Sequence, residues 1–125
     1  MNTVAVQNPD LDEKRTWFER GLLTLLRHTL PPHRDNETAS AHLHWNVGRE
    51  NKHIEWCSVR PDSLIDAERS PCDIIESPTT GILTGRPTAR SNVGHLMTEL
   101  IDNTELWEMW KFRMPVVMNA TEKIQ

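Results

Sequence analysis

Apolar residues recur along this chain at two spacings, and the switch between them marks out the elements. Residues 1–15 are polar and aperiodic, which predicts a loose tail. In "TWFERGLLTLLRHTL" (residues 16–30), Phe18, Leu22, Leu25 and Thr29 share one helical stripe, widened by Leu23, Leu26 and Leu30. A stripe this wide predicts a helix packed on a sheet or on another helix. Pro31 and Pro32 end it, since proline lacks the N–H and restricts its predecessor. Asp35 and Asn36 offer N-caps to a second helix, "NETASAHLHWNVGRE", with Ala39, Leu43 and Val47 four apart and Gly48 and Asn51 as stops. "IEWCSVR" (residues 54–60) then alternates. Ile54, Trp56 and Ser58 face one way, and Cys57 and Val59 face the other. Apolar residues on both faces predict a central, buried strand. "CDIIES" (72–77) is a shorter extended piece, and "SPTTGILTGRPTARS" (77–91) is a loop rich in Gly, Pro and Thr. Ser91 caps a third helix, "NVGHLMTELIDN", with Val93, Met97, Leu100 and Ile101 on one face. Thr104 caps the short "TELWEMWKF", and "MPVVMN" is a closing strand. Trp56, Trp107 and Trp110 are expected inside, and Trp45 on a helix flank.

This order of helices and strands in 125 residues predicts one α/β domain. The net charge of −4 is mild and its signs are interspersed, which argues against nucleic acid and against an anionic membrane as partners. Cys57 and Cys72 lack CxxC spacing, so they make neither a zinc site nor a disulfide framework. Cys57 reads as a free buried thiol. The first residues hold no apolar core of a signal peptide, and no run approaches the roughly 18 apolar residues of a membrane span. A soluble, cytoplasmic protein is expected.

Chemistry enters mostly by exclusion. None of the five glycines forms GxGxxG, and "GILTGRP" lacks the lysine and the spacing of a phosphate loop. With no tyrosine, the chain has no Tyr-x-x-x-Lys proton-transfer pair. GxSxG and HExxH are also missing. His42 and His44 stand about 200° apart on a helix and cannot share one metal ion, with or without His33. Arg60, Pro61, Asp62 and Ser63 are different. They follow the carboxyl end of the predicted central strand, where open α/β sheets place ligands. With Arg90, and Arg86 nearby, they are the candidate substrate-binding residues. The competing reading is an Arg60–Asp62 ion pair that pins the turn. No catalytic residue can be named.

Four stretches, "LPPHRDNETASAHL", "IEWCSVRPDSLID", "TARSNVGHLMTELI" and "LWEMWKFRMPVV", come in an order that resembles the C-terminal half of an atypical short-chain dehydrogenase/reductase. The resemblance is to the NmrA-like kind with an NAD(P)-binding Rossmann fold, and within it to averufin oxidase-like fungal tailoring oxidoreductases. It covers residues 16–120, leaving 1–15 and 121–125 as tails. It implies a partial Rossmann-like, three-layer αβα unit that lacks the N-terminal dinucleotide-binding strands. It also implies an oxidoreductase-like role in the tailoring of aromatic polyketides, of the aflatoxin and sterigmatocystin type. NAD(P) is implied by the family only. Because the Gly-rich half of the family fold is missing, no cofactor is expected on this chain alone, and "PPHRDNETAS" stands where relatives hold the catalytic Tyr-x-x-x-Lys. A sheet without its first strands leaves an open edge, so a homodimer or a partner across that edge is expected. The alternative is a non-catalytic binding or regulatory remnant of an NAD(P)-binding protein that works through a partner or a homodimer.

Overall fold

The computed structural model describes residues 2–29, 31–78 and 85–120. It is a mixed α/β structure in which the chain forms α1 (Trp17–Thr29), α2 (Pro31–Ala41), a π-helical turn (His42–Val47), β1 (Arg60–Pro61) and β2 (Ser63–Ile65). β3 (Cys72–Ile75), β4 (Pro87–Ala89), α3 (Arg90–Asp102), α4 (Thr104–Trp110) and β5 (Val116–Asn119) follow. The segments 79–84 and 121–125, which include part of the expected loop and the expected C-terminal tail, lie outside the described residues.

β5 is the central strand of a three-stranded sheet. It pairs parallel with β1, in the register Arg60 to Val116, and antiparallel with β3, in the register Ile74 to Val117. β2 and β4 form a separate parallel pair, with Leu64 opposite Thr88. The hydroxyl of Thr88 joins the two sheets. It donates to the Val117 carbonyl at 2.9 Å and accepts the Asp62 N–H at 3.2 Å. Alternate residues of β5 feed opposite faces. Val117 packs with Val59, Val93, Leu96, Leu100 and Trp110, under α3 and α4. Val116 and Met118 pack with Val4. A third cluster joins Val6, Trp56 and Met114.

Several expectations change. Residues 54–59 are extended but are not ladder residues. Ser58 N–H reaches the Arg113 carbonyl at 3.0 Å and Arg60 N–H the Pro115 carbonyl at 2.8 Å. Pro115, however, has no N–H to return to this segment, so regular pairing starts only at Arg60. The expected open edge beside it is closed by the chain itself. Asn2 N–H donates to the Val59 carbonyl at 2.6 Å and Val4 N–H to the Pro61 carbonyl at 3.3 Å. The first residues are therefore not a loose tail. Val4 and Val6 alternate at strand spacing and are buried, a signal too short to stand out among polar neighbours.

The two prolines open α2 rather than merely ending α1, consistent with the preference of proline for a first helical turn. α2 gives way after Ala41 to the π-turn, which closes with Gly48 N–H donating to the Leu43 carbonyl at 3.0 Å and Gly48 at φ 72°. A side-chain Cβ is costly at that angle. Pro87–Ala89 is a strand within the expected loop, and α3 starts at Arg90, ahead of Ser91. The cap of α4 is Asn103, whose side chain accepts Leu106 N–H, rather than Thr104. Trp56 and Trp110 are buried, Trp107 is half-buried with its indole N–H on Glu55, and Trp45 is exposed.

Candidate functional site

Arg60 lies inside the protein, with no exposed surface. Its guanidinium carries five N–H groups, and it makes five hydrogen bonds. Nε donates to the Met114 carbonyl at 2.8 Å. Nη1 donates to the Val6 carbonyl at 3.1 Å and to Asp12 Oδ2 at 2.6 Å. Nη2 donates to Asp12 Oδ1 and to the Glu76 carbonyl, both at 3.2 Å. Asp12 is held in turn by Ser77 Oγ at 2.7 Å and by the Asn8 N–H at 2.7 Å. A buried, bidentate, fully bonded pair of this kind ties the N-terminal segment to β1 and β3. Arg60 therefore has no donor left for a substrate. Its partner is Asp12, 48 residues away, and not Asp62.

The other expected ligand residues diverge from it. Pro61 is buried. Asp62 is half-buried and packs on Gly85, where a Cβ would run into both of its carboxylate oxygens. Gly85 is needed for this close approach. Asp62 accepts the Arg86 N–H at 3.1 Å. Burial raises its pKa, against the lowering effect of backbone bonds from Arg86 and Ser63. Ser63 is exposed on β2, and Arg90 is exposed and pairs with Asp66 at 2.8 Å. Among the described residues, Arg60 and Pro61 thus lie inside, Ser63 and Arg90 at the surface and Asp62 between them.

The carboxyl ends of the parallel strands are filled by the protein's own side chains. Asn119 Oδ1, at the end of β5, accepts Ala89 N–H and Asn92 Nδ2, each at 2.9 Å. Asn92 exchanges bonds with Ser70, and Arg86 reaches Asp73 at 3.0 Å as well as the Asn119 carbonyl. Ala89, Arg90, Ser91 and Asn92 open α3 with no glycine among them, and the buried Asn92 occupies its first turn. A dinucleotide's pyrophosphate needs close backbone approach at such a helix start. The residues present do not fit one.

An open concavity lies elsewhere. A cleft of about 260 Å³ separates the N-terminal segment from α1, α2 and the π-turn. Val6 and Pro9 form one wall, Arg27 and Glu37 an ionic edge, and His44 and Trp45 the far side. The π-turn sets this geometry, because its wider i to i+5 spacing brings successive side chains closer in angle than an α-turn does. The rings of His44 and Trp45 meet edge-on with centroids 4.3 Å apart. The His44 side chain is buried, with Nε2 3.6 Å from Asp10, whereas Trp45 is 70% exposed. Glu37 accepts Arg27 Nε at 2.7 Å and Nη2 at 2.9 Å, which holds its carboxyl below the usual range. Buried His33, whose Nε2 has no hydrogen-bond partner among the described residues, lies 3.5 Å from the same carboxylate.

Among the described residues no three His, Cys, Asp or Glu side chains are grouped to hold a metal ion, and no helix is long and apolar enough to cross a membrane. Both cysteines are free. Burial pushes the Cys57 thiol up to about 12, so it is not a reactive thiolate. Asp12, Gly85 and the cleft were missed by sequence reasoning. Asp12 and Gly85 act through residues distant in the chain, and Trp45 signalled only a helix flank. No protein-family model matches the chain, and comparisons with curated proteins and with solved structures return no significant match.

Proposed function

We propose that this chain is a cytoplasmic small-molecule-binding protein of oxidoreductase type. It is related to the averufin oxidase-like short-chain dehydrogenase/reductases and holds an aromatic polyketide ligand in the cleft beside Trp45. The observation that carries this reading is the contrast between two places. The strand ends where a Rossmann-like unit would hold its ligand are closed by Asn92, Asn119 and Arg86, while the cleft presents an exposed indole next to polar groups. That is the usual make-up of a small-molecule site, an apolar wall with a few polar groups. The lineage rests on resemblance alone. Its most specific stretches, "RPDSLID" and "LWEMWKFRMPVV", form β1 with β2 and α4 with β5.

In this reading the chain supplies ligand binding and does not carry the nicotinamide cofactor. The redox half of such chemistry belongs to a partner or a second copy, joined at the outer edge of β3, on which no strand pairs among the described residues. The test is calorimetric titration of the purified chain with NADH, NADPH and a polyhydroxylated anthraquinone. Heat with the anthraquinone, lost in Trp45→Ala, and none with either cofactor is expected. Cofactor binding at low micromolar strength, about −8 kcal/mol, would overturn the division of labour. No anthraquinone binding would overturn the ligand reading. A second reading, a non-catalytic regulator, is favoured by the complete use of the Arg60 donors. It differs in predicting that the bound anthraquinone is neither oxidised nor reduced, whether the chain works with a partner or as a homodimer.

A further inference from the structure

The following inference rests on reading the cleft as a ligand site and extends it to the charge of the ligand. One carboxylate, Glu37, lines the cleft and another, Asp10, lies beside its lining residue His44; each is shared by an arginine and a histidine. Glu37 takes Arg27 and has His33 3.5 Å away. Asp10 takes Arg49 and has His44 3.6 Å away. Four basic side chains thus meet two acidic ones. The Arg27–Glu37 pair joins α1 to α2 and is half in solvent on the arginine side. One edge of the Arg27 guanidinium thus already holds a carboxylate in the two-point geometry that a ligand carboxylate would take. The pair engages Nε and Nη2 of Arg27 and not Nη1. Next to this edge, the exposed indole of Trp45 faces the same cleft as the apolar side chains of Val6 and Pro9. The volume, about 260 Å³, sits just below the range that holds drug-sized ligands.

We propose that the cleft prefers planar aromatic ligands that carry a carboxylate, whose ring system lies against Trp45 and whose carboxylate takes the Arg27 guanidinium beside or in place of Glu37. Glu37 is then an internal stand-in for the acid group of the ligand. Arginine suits this role because its planar fork matches a carboxylate, and the indole face suits a flat ring.

The proposal is tested with two probes of the same shape, 2-naphthoate and 2-naphthamide, titrated into the full chain by calorimetry. The acid should bind about tenfold or more tightly than the amide, as charge-assisted bonds to arginine require. Glu37→Gln removes the competitor and should tighten binding of the acid by more than that of the amide. A residue needed only to hold α1 on α2 would not produce that gain. Arg27→Met should abolish the preference for the acid, and Trp45→Leu should weaken both probes. Thermal melting of each variant shows that it is folded before titration. Equal affinity for acid and amide in the parent, or weaker acid binding in Glu37→Gln, would overturn the acid preference and leave the cleft as a ligand site. Failure of both probes to bind the parent would remove the site itself.

Discussion

α1 and α3 are both 13 residues long and both carry an apolar stripe, yet their fates are opposite. α3 buries Asn92, Val93, Leu96 and Leu100. α1, with four leucines, a phenylalanine and a tryptophan, has no fully buried residue, only half-buried Leu22, Leu23 and Leu26 along its stripe. Trp17 is 85% exposed, Phe18 55% and Leu25 59%. The reason lies in what each helix can reach. α3 follows β4 without a break and lies over Val117 and Val59. The opposite side of β5 is already covered by Val4. α1 is left to lean on α2, helped by the Arg27–Glu37 pair. A stripe states what a helix is able to bury, and the supply of uncovered apolar surface decides whether it does. The weakly held region formed by α1, α2 and the π-turn is also where the cleft lies.

The largest expected effect would test the tight half of this contrast. Arg60→Ala leaves the Asp12 carboxylate buried without its partner and should cost about 3–5 kcal/mol, read by urea or thermal unfolding. A loss below about 1 kcal/mol would show that the buried centre is not what fastens the N-terminal segment. Next, Leu96→Ala and Leu25→Ala compare the two helices directly. The first should lose about 2–5 kcal/mol and the second should stay within about 0.5 kcal/mol. Hydrogen exchange in the parent should be slower through α3 than through α1. Equal losses, or equal protection, would erase the comparison.

Gly85→Ala should cost about 1–2 kcal/mol, because Asp62 must move off its position and give up the Arg86 N–H. An unchanged melting temperature would mean that the approach is not tight.

The smallest effect concerns pH, and here the turn and the cleft should behave oppositely. Burial raises the pKa of Asp62 in the folded chain, so its proton is held more firmly folded than unfolded. Its contribution is complete below the ordinary carboxylate value and is lost as pH rises through the raised one. Relative to Asp62→Asn, the parent should lose stability as pH rises across the range in which carboxylates titrate. Glu37 is lowered, chiefly by its hydrogen bond from Arg27. Its contribution is present above the ordinary value and is lost as pH falls through the lowered one, so Glu37→Gln should show the reverse trend. Melting curves of the two variants across that range decide the matter.

What the sequence determined by itself was local. The stripe in residues 92–102, the apolar run 114–119, the extended piece at 72–75 and the helix at 17–29 could be read because spacing along the chain carries the signal for burial over a few residues. The mixed α/β class followed from their order. The candidate site was hardly legible. The sequence placed Arg60, Asp62 and Arg90 on one ligand-facing end, but only the tertiary structure could show that Arg60 turns inward to Asp12, that Asp62 rests on Gly85 and that Arg90 faces solvent. Val4 and Val6 likewise looked like part of a tail until the fold offered them an edge to pair with. A buried guanidinium must find acceptors wherever the chain brings them, since leaving one of its N–H groups unsatisfied costs more than any local preference can return. Such partners are chosen by proximity in space, and at a separation of 48 residues proximity in space is a property of the packed molecule alone.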